Sequence, residues 1–126
     1  MMWAMEYIGK PYSAEQDCYY WFRKIQSEQF GREVPHLKVG GARVAVRLMR
    51  GDFCDSVGWE KTDAPKDGDA VFMSQAERRN THIGVAFHHK GKLLVIHALV
   101  GMGVVVSDMQ GLRMNNLKIS SYWTPK

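Results

Sequence analysis

The first half of the chain carries apolar residues at helical spacing, and the second half turns to short apolar runs broken by turn residues. From Asp17 to about Phe30, Cys18, Phe22 and Ile25 fall at i, i+4 and i+7, which lines one face of a helix. Asp17 can cap that helix by accepting from its free first-turn amides, and Gly31 supplies a stop. A shorter helix is expected over Trp3 to Ile8, ended by Gly9 and Pro11, and another over about Ala42 to Met49, closed by Gly51. The stretch from Asp52 to Gly68 reads as loop. Strands are expected at Ala70–Met73, His82–Phe87, Lys92–His97 and Val104–Ser107, punctuated by Gly, Lys and His as hairpins require. A helical turn near Asp108–Met114 and a last strand near Leu117–Trp123 follow. Helices first and strands afterwards predict an α+β fold, with N-terminal helices packed on a central antiparallel sheet.

Length and charge narrow the picture. The 126 residues suit one domain spanning 1–126, with a core of ordinary size. No apolar run approaches the ~20 residues that span a bilayer, so no membrane insertion is expected. Met1 to Lys10 lacks the basic, apolar and small-residue segments of a secretory signal peptide. The net charge of +4 favours anionic partners, cell-wall polymers among them. The basic residues are dispersed, however, without the dense block and interleaved aromatics of a nucleic-acid surface, and no nucleic-acid partner is expected.

Two cysteines, Cys18 and Cys54, do not make a disulfide framework, and reduced thiols are the expectation. Cys18 opens the helix that Asp17 caps. There the partial positive charge of the helix start favours a thiolate, which lowers the thiol pKa and makes a nucleophile. The plain alternative is a small buried core residue. Cys54 lies between acids, in Gly-Asp-Phe-Cys-Asp, where the anion is disfavoured, and is read as structural.

His82 begins one expected strand and His97 ends the next. A four-residue loop over His88–Gly91 would set them directly opposite, and a two-residue loop at Lys90-Gly91 would leave them diagonal on one face. A three-residue loop would separate them onto opposite faces. Paired, they suit a general base and the group that fixes its tautomer. Cys18 with two histidines could instead hold zinc, with an open fourth position. His88 and His89 are expected in the turn and solvated, and His36 has no evident partner.

Four segments, in this order, resemble the NlpC/P60 family of cysteine peptidases. They are Tyr7-Ile8-Gly9-Lys10-Pro11-Tyr12 with Asp17-Cys18, then Pro65-Lys66-Asp67-Gly68-Asp69-Ala70-Val71-Phe72, then Thr81-His82-Ile83-Gly84-Val85, then Ile96-His97-Ala98 with Gly103-Val104-Val105-Val106-Ser107-Asp108. The resemblance implies a minimal papain-like fold, with Cys18 as nucleophile, His82 as base and His97 as orienting residue. It implies Tyr12 near the oxyanion position and Asp17 in contact with a substrate amine, and calls for no cofactor and no metal. Tyr12 as packing and Asp17 as helix cap are the plain alternatives. Many relatives carry Trp-Gly-Gly before the cysteine, where this chain has Ser13-Ala14-Glu15-Gln16, and often a small residue or Trp after it, where this chain has Tyr19.

The implied activity is a thiol endopeptidase that cleaves peptidoglycan peptide stems, typically at γ-D-glutamyl linkages, by acyl transfer. The short chain looks like versions made by tailed phages. That implies phage tail proteins as partners, and a place in the producing cell's cytoplasm or on the virion tail, acting on the cell wall. The alternatives are an amidase, transpeptidase or acyltransferase on the same scaffold, and a catalytically inactive tail or assembly protein.

Overall fold

In a computed structural model of the chain, residues 2–36, 46, 54, 57–75 and 78–126 are described. Among these residues, three helices, α1 (Met2–Met5), α2 (Cys18–Phe30) and α3 (Met109–Met114), accompany six strands. The strands are β1 (Trp59–Thr62), β2 (Ala70–Gln75), β3 (Arg78–His89), β4 (Lys92–Leu99), β5 (Gly103–Ser107) and β6 (Leu117–Pro125). They form one sheet in the order β1-β6-β2-β3-β4-β5, and every neighbouring pair is antiparallel. The expected α+β layout is the one found. The expected helix over Ala42 to Met49 lies outside the described residues except for Val46, which is buried in the core.

The expected loop from Asp52 to Gly68 needs correction, because it contains β1. Only Trp59 of this strand is buried, so it offers no alternation to read, and its pairing with β6 defines it. The turn between β3 and β4 is Lys90-Gly91, and His88 and His89 belong to β3 instead. Both turn residues have positive φ, 53° and 75°. That backbone twist matches the twist of the flanking strands in a two-residue hairpin.

Helix α2 starts at a well-made cap: Asp17 is extended, and its Oδ1 accepts from the Tyr20 amide at 3.0 Å. Gly31 ends it in the left-handed conformation. One face of the helix, including Cys18, Trp21, Phe22 and Ile25, is buried against the sheet. Alternate strand positions divide between two cores. Phe72, Ile83, Val85, Ile96 and Val104 face α2, while Val71, Met73, Ala86, Val95 and Leu99 pack with Leu112 of α3. With both faces covered, β2 reads as an unbroken apolar run.

The free edge of β5 is closed by the segment before α2. The Gly9 amide donates to the Val104 carbonyl (2.9 Å), and the Val104 amide to the Lys10 carbonyl (2.8 Å). The Trp21 indole donates to the Pro11 carbonyl at 3.1 Å. These bonds tie the loop that carries Tyr12 to the sheet end and to the helix at once. Gly103 makes the approach possible: its φ is +77°, and a Cβ there would strike the Lys10 carbonyl. Gly103→Ala is expected to cost about 2 kcal/mol, lowering the melting temperature by roughly 6–10 °C in thermal denaturation followed by circular dichroism.

Candidate active site

Cys18 is the first residue of α2, so its own amide and that of Tyr19 are free of helical partners. Both hydrogen-bond the sulfur, as does the backbone of Ile83 on β3. These contacts favour the thiolate, as expected of a helix start, but they do not prevail. The residue is 3% exposed. Burial pushes the thiol up to about 12, and the Asp17 carboxylate adds to the rise. The expectation of a lowered thiol pKa is thus corrected. Desolvation outweighs the helix start, and the resting sulfur is a neutral thiol.

His82 and His97 are on one face of the β3–β4 hairpin, as the two-residue turn requires. His97 pairs with Gly84, two residues along the strand from His82, so the two histidines are diagonal neighbours. His82 Nε2 and His97 Nδ1 are 2.8 Å apart, with the rings nearly perpendicular at 81°. Gly84 permits this. A Cβ there would lie 3.0 Å from the His97 Cβ and 2.7 Å from a Val95 methyl. The chain of contacts continues to a residue that sequence reasoning left without a role. His97 Nε2 is 2.9 Å from Ser107 Oγ on β5. The register places Ser107 two residues beyond Val105, the partner of His97. Burial depresses both histidines, His82 to about 3 with help from its neighbour His97, and His97 to about 4.

Tyr12, Cys18 and His82 line one cavity of about 190 Å³ at the end of the sheet. Gln75, Thr81 and Asn115 supply further polar groups, and Ala98, Leu99, Val100 and Met102 supply an apolar wall. The Tyr12 hydroxyl pKa is raised, chiefly by burial and then by the nearby Cys18 and Asp17. Asp17 is spent as the helix cap and does not line this cavity. Thr81 sits beside His82 in the sequence, but Gln75 and Asn115 carried no signal that pointed here.

The remaining candidates fall elsewhere. Cys54 is buried, as Cys18 is, and the two are not joined in a disulfide. Tyr19 points away from the cavity chemistry: its ring stacks on Phe22 and its hydroxyl donates to the Pro35 carbonyl. The substituted loop is closed on itself, with the Ser13 amide donating to the Gln16 carbonyl and the Gln16 amide to Ser13 Oγ. His88 is exposed and pairs with Asp67 at 2.9 Å. His36, expected to lack a partner, has one, since its Nδ1 is 3.3 Å from an Arg23 guanidinium nitrogen. Among the described residues, no group of three or more His, Cys, Asp or Glu side chains is placed to hold a metal ion. Among them, too, no helix is long and apolar enough to cross a membrane.

No family model matches the chain, and no curated protein matches it. Among solved structures it is similar to an N-acetylmuramoyl-L-alanine amidase from Bacteroides uniformis, with 33% identity and a TM-score of 0.41. The match covers 49% of this chain and 29% of the amidase chain, and at that structural agreement it carries no functional argument.

Two outcomes follow from the burial. The folded histidines bind protons far less readily than they do at their ordinary 6.5. Their contribution to stability is therefore whole above pH 6.5 and is lost as pH falls toward the folded values. Urea unfolding at pH 7.5 and 5 is expected to differ by ~2 kcal/mol per histidine, and equal stability would mean that the rings are solvated. For Cys18, with Cys54 subtracted through Cys18→Ala, iodoacetamide alkylation should keep rising through the alkaline range. A plateau below the free-thiol value of ~8.5 would contradict the buried neutral thiol.

Proposed function

We propose that this protein is a cysteine hydrolase of the NlpC/P60 type that cleaves amide bonds in the peptide stems of peptidoglycan. The observation that carries the reading is the shared cavity: a thiol at a helix N-terminus and a histidine held from behind by a second histidine at 2.8 Å. The substrate class rests on the four resembling segments, and the net charge of +4 suits an anionic wall polymer.

With a neutral thiol at rest, the sulfur cannot wait as a preformed anion. The Cys18 proton passes to His82 as the sulfur attacks the amide carbonyl, and the S–C bond forms while charge collects on the carbonyl oxygen. The Cys18 and Tyr19 amides, which lack helical partners and bond the sulfur at rest, turn to that oxyanion as it forms. His82 then gives its proton to the departing amine as the C–N bond breaks, leaving a thioester on Cys18. Water, deprotonated by His82, attacks the thioester, releasing the acid and restoring the thiol. Tyr12, at the cavity wall beside the sulfur, is the side-chain candidate for a second oxyanion donor.

Two further parts of the reading are separable. Tail association is tested by copurification of the chain with phage tail proteins. A catalytically inactive structural protein is favoured by one observation, the nearly complete burial of the sulfur. Digestion of purified muropeptides, read by mass spectrometry, separates the readings. Wild type is expected to release cleaved stems, and Cys18→Ala and His82→Ala to lower the rate at least about 10³-fold. Intact stems with wild-type protein would support the structural reading, and products carrying a transferred acyl group would support an acyltransferase.

A further inference from the structure

The His82–His97 pair does not end at His97, and the group beyond it decides whether the pair can work as a base. A neutral imidazole carries one donor and one acceptor nitrogen. Burial keeps both rings neutral. In the chain His82 Nε2···His97 Nδ1 and His97 Nε2···Ser107 Oγ, the protons must therefore all point one way or all point the other. If Ser107 donates to His97, then His97 donates to His82, and the remaining nitrogen of His82 carries a hydrogen. Such a ring cannot take the thiol proton. If Ser107 accepts, each ring is protonated on Nε2, and Nδ1 of His82 keeps its lone pair.

We propose that Ser107 is a positioning residue that holds the His82–His97 pair in the base-competent direction by accepting from His97 Nε2. The proposal rests on the reading of His82 as the base. Two features favour the accepting direction. Ser107 also lines a second cavity, of about 480 Å³, with Asp108 and Asn115, so its own hydrogen has somewhere to go other than His97. The adjacent Asp108 carboxylate is held ionised by the Gly111 amide (2.8 Å) and the Lys92 ammonium (3.0 Å). Asp108 Oδ1 and Ser107 Oγ both lie within 4 Å of where a Cβ on Gly111 would stand, so the negative charge draws the hydroxyl hydrogen to that side and leaves a lone pair for His97. In the same direction every donor points away from the thiol. When the Cys18 proton moves to Nδ1 of His82, the imidazolium formed finds an acceptor at His97, and no other proton has to move.

The test is the imidazole nitrogen spectrum of the full-length protein, labelled with ¹⁵N-histidine and recorded at neutral pH. In wild type, His82 and His97 should both show protonated Nε2 and unprotonated Nδ1. Ser107→Ala should shift the pair toward the opposite tautomers or a mixture. Ser107→Thr, which keeps the hydroxyl, should return the wild-type pattern. Cys18 alkylation should fall about tenfold in Ser107→Ala, the weight of one hydrogen bond, and recover in Ser107→Thr. Protonated Nδ1 on His82 in wild type would overturn the proposal, and so would unchanged tautomers in folded Ser107→Ala. The wild-type spectrum decides the matter even if Ser107→Ala does not fold. The spectrum needs no substrate, so a failure to cleave muropeptides would sink the hydrolase reading and leave the tautomer result standing.

Discussion

Two imidazoles buried in an antiparallel sheet impose the constraint around which this protein is arranged. A ring nitrogen removed from water costs a few kcal/mol unless another group bonds it. Here each inward nitrogen is met: His82 by His97, and His97 by Ser107. The row crosses three strands and moves two residues along at each step, so it runs obliquely over the face that α3 covers. That row restricts its surroundings. A side chain at Gly84 would meet the His97 Cβ and a Val95 methyl, and Ala86 and Val95 are buried in the core that α3 covers.

The thiol, at the start of α2, shares its cavity with His82. Its backbone partner is Ile83, the residue after His82, so helix and hairpin meet at one peptide. The Gly9–Tyr12 segment completes the corner. It is tied to β5 by backbone bonds and to α2 through Trp21, and it brings Tyr12 to the cavity wall. The aromatic packing behind it, where Trp3 meets Phe30 and Phe87 edge-on at 5.5 and 5.3 Å, holds the N-terminal segment against helix and sheet together. The site is thus assembled from elements far apart in sequence but tied together by hydrogen bonds and packing at their junctions.

Much of this was legible beforehand, for local reasons. The capped start of α2 and its Gly31 stop follow from neighbouring residues, while the two-residue β3–β4 turn was one of three loop lengths left open. What was not legible depends on distant ones. Four residues with one buried side chain, Trp59–Thr62, carry no strand pattern, and β6 alone makes them a strand. Ser107, next to an aspartate that caps α3, reads as a strand end, and only the β4–β5 register sets it beneath His97. The sulfur's environment was misjudged because a helix start can be seen in a sequence, whereas the depth at which it is buried cannot.

The Lys90-Gly91 turn makes the site sensitive to arithmetic as well as to chemistry. Because side chains alternate, the number of residues between His82 and His97 matters through its oddness or evenness. Pairs of residues added at the tip could lengthen the hairpin as a rigid finger and leave the two rings in contact. A single added residue, unless absorbed as a bulge, would turn one ring into the opposite core. Natural or engineered variation in this hairpin should therefore come in steps of two. Its tip, exposed and remote from the thiol, is a place where a longer arm could be grown without disturbing the chemistry below.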